Sequence, residues 1–151
     1  MFLATIKRQP RAMREITYRL TNGEQVAIGR AQLGDLMGLR SIQRRCDQTG
    51  QAYGVVTMLV FHIWSRSEVL VARLGDRVIG CVVGDKQRNQ GRVLNLCVDP
   101  QYRRHGLGSA LLSSIESFLD HDNMTLMVED KNIAAQELYR RHGYLPSGDL
   151  R

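Results

Sequence analysis

A buried strand that stops sharply and turns into a helix constrains this chain more than any other feature. Val93–Val98 is an apolar run of strand length, and Asp99-Pro100 ends it because proline cannot donate a hydrogen bond to a sheet. Gly106 and Gly108 then open an amphipathic helix that we expect to end near Asp120. The feature is therefore a strand, a glycine-bearing turn and a helix N-terminus, in that order.

This turn has the chemistry of a phosphate-binding site. The first N–H groups of a helix lack internal partners and lie at the positive end of the helix dipole, which favours an anion. Arg103, Arg104 and His105 add basic side chains at the same place. Neither the dinucleotide pattern G-x-G-x-x-G nor the P-loop pattern G-x-x-x-x-G-K-[ST] is present; the sequence is Arg103-x-x-Gly106-x-Gly108. The alternative is an ordinary strand-to-helix turn with solvated arginines.

The periodicity of the remaining chain predicts an α/β protein built on a mixed sheet. We expect residues 1–14 to be an irregular, mobile N-terminal segment and residues 15–151 to form a single domain. The predicted elements are strands over 15–20 and 24–30, helices over 33–45 and about 52–66, strands over 68–74, 77–83, 93–98 and 124–129, a loop over 84–91, and a last helix from the N-cap Asn132 to Gly143.

Composition limits the partners and the compartment. The formal charge of +6 favours acidic partners such as coenzyme A, nucleic acid or ribosomes. The three cysteines, Cys46, Cys81 and Cys97, lie far apart without metal-ligand spacing, so we expect no metal site and a reduced, cytoplasmic setting. The longest apolar run, 54–64, is too short to span a bilayer, and the N-terminus lacks the apolar core of a signal peptide, so we expect no membrane partner.

Two motifs resemble the GNAT acetyltransferase superfamily. Arg103-x-x-Gly106-x-Gly108 is similar to its acyl-coenzyme A signature [QR]-x-x-G-x-[GA], and residues 132–144 are similar to its N-x-x-A-x-x-L-Y-x-x-x-G-[FY] motif. Within the superfamily, Asn95–Pro100 is most similar to the ribosomal-protein-alanine N-acetyltransferases. The Asn22-Gly23 hairpin is similar to that of the protein-lysine acetyltransferases. The resemblance implies a mixed, mostly antiparallel central sheet flanked by helices.

The resemblance also implies that acetyl-coenzyme A is the co-substrate. It carries the pantetheine contact onto the backbone of Leu96, Cys97 and Val98 and the pyrophosphate site onto Arg104, His105, Gly106, Leu107, Gly108 and Ser109, with Arg103 beside it and Asn132 as a further cofactor contact. Asn132 also has a simpler explanation, since its side chain suits the N-cap of the last helix.

For catalysis, the resemblance makes Tyr139 the general acid, although a core tyrosine on the same helix face is the simpler alternative. The general base is uncertain because Met127 stands where the ribosomal-type enzymes carry glutamate. Glu129 shares the strand face of Met127 and is the candidate base, with a solvated strand-end charge or a water relay as alternatives. Asn95, Cys97 and Asp99 share a strand face and could also line the site, whereas His62 and Cys97 fit a core role better than a catalytic one.

The chain departs from the resemblance at its C-terminal end. The superfamily continues past Gly143-Tyr144 with two strands, but residues 145–151 suffice for one short strand at most. The strand over 124–129 would then keep an unpaired edge, which predicts either a homodimer or a tail that folds back over the edge.

The leading functional interpretation is an N-acetyltransferase that transfers acetyl from acetyl-coenzyme A to a primary amine of a protein by direct attack. A small amine of the polyamine or aminoglycoside type is the alternative substrate. A GNAT domain that binds acyl-coenzyme A without turnover, serving as a sensor or interaction module, is an alternative of another class. The sequence contains no recognised nucleic-acid-binding module, so we expect contact with nucleic acid only indirectly, through ribosomes.

Overall fold

The computed structural model describes residues 2–5, 15–46, 67–126, 128, 130 and 132–146. Their strands are β1 (Phe2–Thr5), β2 (Ile16–Arg19), β3 (Gln25–Arg30), β4 (Ser67–Leu74), β5 (Arg77–Lys86), β6 (Gly91–Val98), β7 (Asn123–Leu126) and β8 (Leu145–Pro146). Their helices are α1 (Leu36–Cys46), α2 (Leu107–Leu119) and α3 (Ile133–Arg141), with short 3-10 turns at Leu33–Asp35 and Pro100–Tyr102. The predicted helix over 52–66, including His62, lies outside these residues.

The strands form one sheet in the order β2-β3-β4-β5-β6-β7-β1-β8. Only the pair β6–β7 is parallel, and every other neighbouring pair is antiparallel. This arrangement confirms the predicted α/β class with a mixed, mostly antiparallel sheet. None of the helices in the described ranges is long and apolar enough to cross a membrane.

Helices cover both faces of the sheet, and the alternation of side chains along each strand decides which residue meets which helix. Val69 and Val71 of β4 belong to the apolar cluster that contains Leu39 and Ile42 of α1. The residues between and after them belong instead to the cluster that contains α2 and Tyr139 of α3. The near-continuous apolar run of β4 therefore follows from burial on both faces.

Two glycines in β5 allow α2 to lie close to the sheet. A Cβ on Gly80 would approach Leu111 Cδ1 to 2.9 Å, and a Cβ on Gly84 would approach Ile115 Cγ1 to 2.8 Å. The prediction of a loop beginning at Gly84 was wrong, because β5 continues to Lys86 and β6 already begins at Gly91. Gly84 is thus a strand residue, and it is glycine because α2 leaves no room for a side chain there.

The N-terminal strand β1 completes the sheet. Phe2–Thr5 pairs antiparallel with all of β7 on one side and with Leu145–Pro146 of β8 on the other. The expectation of irregular structure was therefore wrong for these residues, because the apolar segment Phe2–Thr5 extends along the β7 edge. Since β1 pairs with β7, the prediction of a dimer through an open β7 edge was wrong. Of the two strands that the superfamily has after Tyr144, the described residues form one, the short strand β8, and β1 lies beside β7.

We predict that deleting residues 2–5 lowers the free energy of unfolding and causes self-association. The deletion would expose the backbone donors and acceptors of Asn123–Leu126, and unpaired edges of this kind favour pairing with a second chain. Light scattering with size-exclusion chromatography measures the association, and thermal melting measures the stability. Replacing Phe2–Thr5 by threonines is the matched control, since it keeps the backbone pairing. A monomeric deletion variant with unchanged melting would contradict the prediction.

A bidentate ion pair fastens the start of α1 to the sheet. Arg73 of β4 donates from Nε to Asp35 Oδ1 at 2.9 Å and from Nη2 to Asp35 Oδ2 at 2.5 Å. Asp35 Oδ2 also accepts from the backbone N–H of Gln32 at 2.7 Å, which caps the 3-10 turn. The hydrogen bonds from Arg73 hold the pKa of the Asp35 carboxyl below its ordinary value, although burial opposes them.

We predict that Arg73→Met lowers the free energy of unfolding by about 3 kcal/mol near neutral pH, because it leaves the Asp35 carboxylate buried without its partner. Since the folded-state pKa of Asp35 lies below its ordinary 3.8, the stabilisation is fully present above that pH and is lost as the pH falls through the lower folded-state value. Denaturant unfolding at a series of pH values should therefore show the difference from the wild type shrinking in acid.

The control for this ion pair is Arg30→Met. Arg30 pairs with Glu68 at 3.2 Å while its side chain is 60% exposed, so its loss should cost less than about 1 kcal/mol. Equal losses in the two variants, or a difference at Arg73 that does not depend on pH, would contradict the interpretation.

Candidate functional site

Strand β6 loses one of its two neighbours part-way along its length. It pairs with β5 from Gly91 to Val98, with Leu94 skipped at an irregularity in the register. On the other side it pairs with β7 only over Gly91–Val93, opposite Met124–Leu126. Within the described ranges, the later part of that edge has no strand partner. The backbone of Leu96, Cys97 and Val98, the predicted pantetheine contacts, lies in this part.

The side chains of β6 that face α1 are bonded to the last turns of that helix. Gln43 Nε2 donates to Asn95 Oδ1 at 3.2 Å, the Cys46 and Cys97 sulfurs form a disulfide, and the Arg45 guanidinium lies 2.5 Å from Asp99 Oδ2. Asn95 and Cys97 of β6 and the following residue Asp99 share a face, as predicted, and that face contacts α1.

The structure brings all three cysteines together beneath α1. Cys97 bonds to Cys46, with 6.2 Å between their Cα atoms, and lies opposite Cys81 on the neighbouring strand. Burial raises the pKa of the Cys81 thiol to about 12, although a hydrogen bond from Gln43 acts in the opposite direction. The sequence predicted a reduced setting and not this disulfide, because sequence distance does not show that β5, β6 and the end of α1 converge.

Asp99 ends β6 and starts the turn. Its carboxylate is 1% exposed, with Oδ1 accepting from the Gln101 N–H at 3.0 Å and Oδ2 facing Arg45 and Arg77. Pro100 follows at the first position of the 3-10 turn, where the missing N–H costs nothing. The predicted strand stop is therefore confirmed.

The turn itself ends in the N-terminus of α2. Gly106 is the N-cap residue with a φ of 84°, and no side chain caps the helix. Ala110 is the first residue whose N–H reaches a helical carbonyl, that of Gly106 at 3.1 Å, so the N–H groups of the preceding turn are left for a ligand. Arg104, also in the left-handed region with a φ of 64°, is exposed beside them. The arrangement fits a pyrophosphate group.

The two glycines of the motif lie at close contacts with neighbouring elements. A Cβ on Gly106 would meet the Tyr18 hydroxyl at 2.6 Å, and a Cβ on Gly108 would meet Leu138 Cδ2 of α3 at 3.3 Å. A side chain on Gly106 would point toward strand β2, so Tyr18 of that strand sets the space at this position.

In and beside the turn, Arg103, His105 and Ser109 use their side chains for bonds within the protein. Arg103 Nε donates to the Val98 carbonyl at 3.2 Å. His105 Nδ1 lies 2.8 Å from Thr21 Oγ1, and Ser109 Oγ lies 2.5 Å from His142 Nε2. Sequence reasoning missed Thr21 and His142 as neighbours of the turn, because no local pattern signals a contact across such separations.

Helix α3 places the predicted general acid in the core. Asn132 accepts from the Ala135 N–H at 3.2 Å, which confirms the N-cap, and Gly143 follows the helix with a φ of 89°. Tyr139 is 7% exposed and its ring lies 6.0 Å from that of Tyr144 in an edge-on contact. Burial raises the pKa of the Tyr139 phenol to about 12, so the phenol stays protonated at neutral pH.

The general base is not located. Glu129 and Met127 lie outside the described residues, so the candidate base stays a prediction. The assignments of Tyr139 and of the cofactor contacts stay predictions as well, since the structure gives their geometry and not their ligand.

Comparison with known proteins defines the class to which this fold and site belong. The model of the acetyltransferase (GNAT) family matches residues 36–144. The chain therefore belongs to the GNAT acetyltransferase family.

Individual relatives agree with this classification. An uncharacterised N-acetyltransferase of Methanocaldococcus jannaschii is 28% identical over 116 residues, which cover 73% of this chain and 72% of that protein. A ribosomal-protein alanine N-acetyltransferase from Escherichia coli has a similar structure, with a TM-score of 0.69 and 22% identity over 81% of this chain and 79% of that one. The structure of the PaiA N-acetyltransferase of Thermoplasma acidophilum in complex with coenzyme A is also similar, with a TM-score of 0.71 and 16% identity over 82% of this chain and 92% of that one. These structural likenesses show the fold.

We predict that Gly106→Ala weakens coenzyme A binding and that a second substitution, Tyr18→Phe, partly restores it. The new methyl group would lie 2.6 Å from the Tyr18 hydroxyl, whereas the nearest remaining ring carbon is at 3.6 Å. Restoration should be incomplete because alanine stays strained at a φ of 84°. Titration calorimetry of the two single variants and the double variant measures the effect. An equally weakened double variant would show that the Tyr18 contact is irrelevant.

We predict that the unreduced protein, denatured under non-reducing conditions, shows one reactive thiol, from Cys81, and three after reduction. Alkylation followed by intact mass spectrometry counts the thiols. The Cys46→Ser and Cys97→Ser variants should each show two thiols with or without reduction, which together identify the bonded pair. Three thiols in the unreduced wild-type protein would contradict the disulfide.

Proposed function

We propose that this protein is an acetyl-coenzyme A-dependent N-acetyltransferase that acts on a primary amine of a protein substrate. The observation that carries the proposal is that the buried Tyr139 and the start of α2 at Leu107 share an apolar cluster with Leu96 of β6, on whose edge the described residues place no strand after Val93. Membership of the GNAT acetyltransferase family supports the acetyl transfer. The acceptor and the residue roles are proposals.

The backbone is the main binding device for acetyl-coenzyme A. The N–H groups of Leu107, Gly108 and Ser109 are preorganised donors for the pyrophosphate, and exposed Arg104 adds positive charge. After Val93, where the described residues supply no strand for this edge of β6, its backbone groups other than the Val98 carbonyl, which accepts from Arg103, bind the pantetheine arm as an added strand would. One N–H of the same edge polarises the thioester carbonyl, which is the largest electrostatic contribution we expect.

Tyr139 is the group that protonates the departing thiolate. Its pKa of about 12 keeps the proton in place until the leaving group develops negative charge. The surrounding core excludes water, which strengthens a hydrogen bond from the phenol to an anion. Asn132, whose Oδ1 caps α3, is exposed and therefore accessible to the cofactor as well.

The amine proton needs a separate acceptor. Glu129 is the candidate by its place in the sequence, two residues after the position where relatives carry glutamate. A water molecule that relays the proton to bulk solvent is the second candidate. The two differ in that Glu129→Gln should lower the rate where the carboxylate is ionised and should remove the fall in rate at acid pH that protonation of a carboxylate base causes.

The choice of a protein acceptor rests on the resemblance of Asn95–Pro100 to the ribosomal-protein-alanine enzymes and on the charge of +6, which favours acidic partners. The reaction would take place in the cytoplasm. A disulfide between Cys46 and Cys97 is unusual in that compartment, so the thiol count bears on this part of the proposal. A small amine is the second substrate class, and binding without turnover is the remaining alternative.

Thiol release from acetyl-coenzyme A, measured against N-terminal peptides, lysine peptides, polyamines and aminoglycosides, tests the proposal. Turnover with peptides alone would support a protein acceptor. Turnover with polyamines or aminoglycosides alone would overturn that choice and leave the acetyltransferase intact. Binding of coenzyme A by calorimetry without turnover on any acceptor would support the non-catalytic module.

We predict that Tyr139→Phe lowers kcat roughly 10²-fold or more while the affinity for coenzyme A changes little. Tyr144→Phe is the matched control, because it removes another buried phenol hydroxyl, one that donates to Glu116 at 2.7 Å, away from the thiolate. The control should reduce stability and keep kcat.

The pH profile gives a second check on Tyr139. Since its pKa is raised to about 12, the rate of the wild-type enzyme should not fall as the pH rises through 10, the ordinary tyrosine value. Full activity of Tyr139→Phe with the chemical step rate-limiting would make Tyr139 a packing residue only.

A further inference from the structure

The turn from Arg104 to Ser109 is held by two elements that the cofactor motif does not include. On one side, Thr21 in the β2–β3 hairpin contacts His105 twice. Its Oγ1 lies 2.8 Å from His105 Nδ1, and its backbone N–H donates to the His105 carbonyl at 3.3 Å. These groups are 84 residues apart in the chain. The hairpin therefore fixes both the side chain and the backbone of His105.

On the other side, the residue after α3 contacts the first turn of α2. His142 Nε2 lies 2.5 Å from Ser109 Oγ. Leu138, one turn earlier on α3, packs where a Cβ of Gly108 would be. Because α3 also carries Tyr139, this contact fixes the distance between the proposed general acid and the phosphate turn.

His105, near one end of the turn, thus bonds to the hydroxyl of Thr21, and Ser109, at the other end, bonds through its hydroxyl to His142. The turn contains two residues in the left-handed region, Arg104 and Gly106, and a helix start without a side-chain cap. Such a segment has few bonds of its own to define its shape. If it moved freely, binding would have to order it, and that cost would lower the affinity for the anion.

We propose that Thr21 and His142 are positioning residues of the cofactor site: they hold the turn from Arg104 to Ser109 in the shape that binds pyrophosphate, without contacting the cofactor. The proposal rests on the proposed function, because it assumes that coenzyme A binds this turn. Thr21 affects cofactor affinity alone. His142 affects affinity and also kcat, since it links the turn to the helix that carries Tyr139.

The Thr21→Val variant tests the first half. It keeps the shape and the backbone N–H and removes only the hydroxyl. We expect the KM for acetyl-coenzyme A and the dissociation constant of coenzyme A to rise about fivefold, the effect of one hydrogen bond, with kcat unchanged. Thr21→Ser should restore both constants. Thr17→Val, at an exposed position of the same hairpin, is the matched control and should leave them unchanged.

The His142→Leu variant tests the second half. We expect a similar rise in the dissociation constant together with a fall in kcat, and partial restoration by His142→Gln, which can still bond to Ser109. A variant that lowers kcat only in proportion to its loss of folded protein would show a merely structural role. Melting curves for each variant establish the folded fraction.

A measurement without cofactor keeps the proposal open to refutation if a variant binds too weakly to titrate. The side-chain nitrogen resonances of His105 should shift in Thr21→Val and not in Thr17→Val. Unchanged resonances, or wild-type coenzyme A affinity in both Thr21→Val and His142→Leu, would overturn the inference alone. Failure of the wild-type protein to bind coenzyme A would overturn the proposed function and this inference with it.

Discussion

The rest of the structure depends on the point where β6 stops pairing with β7. The two strands share a parallel ladder over only three residue pairs, Gly91–Val93 with Met124–Leu126. Beyond that point β6 keeps its pairing with β5 on one edge, and the described chain supplies no strand for the other. Free backbone groups normally invite an unwanted partner, so such an edge has to be used or covered. Here the strand is followed by the 3-10 turn Pro100–Tyr102 and then by the uncapped N-terminus of α2.

Helix α1 stabilises the part of β6 that has a strand partner on one edge only in the described chain. Three different interactions join the last turns of α1 to alternate residues of β6: the Gln43 amide bond to Asn95, the disulfide to Cys97 and the ion pair to Asp99. They act on the face of the strand, not on its edge. The alternation of a strand thereby separates the odd-numbered side chains, which contact α1, from the backbone groups along the edge, of which the Val98 carbonyl accepts from Arg103.

The sequence predicted those features whose signals are local. Asp99-Pro100, Gly106, Asn132 and Gly143 each act within a few residues, and the structure has each in the predicted role, with Gly106 serving packing against Tyr18 as well. Contacts between distant residues left no signal. Phe2–Thr5 has no alternating pattern to mark it as a strand, and Gly84 resembles a loop residue until α2 is placed above it. The convergence of the cysteines, and of Thr21 with His105, likewise depends on strand order.

The position of β1 also sets the order in which the sheet can form. Phe2 pairs with Leu126, so the strand nearest the start of the chain finds its partner only after almost all of the domain exists. During synthesis this segment has to wait, unpaired, while β4, β5 and β6 form their local antiparallel ladders. Closing so long a loop is slow, because its entropy is lost before the contacts that offset it form. On the ribosome, the chain would therefore form most of the acetyltransferase sheet before β1 pairs with β7.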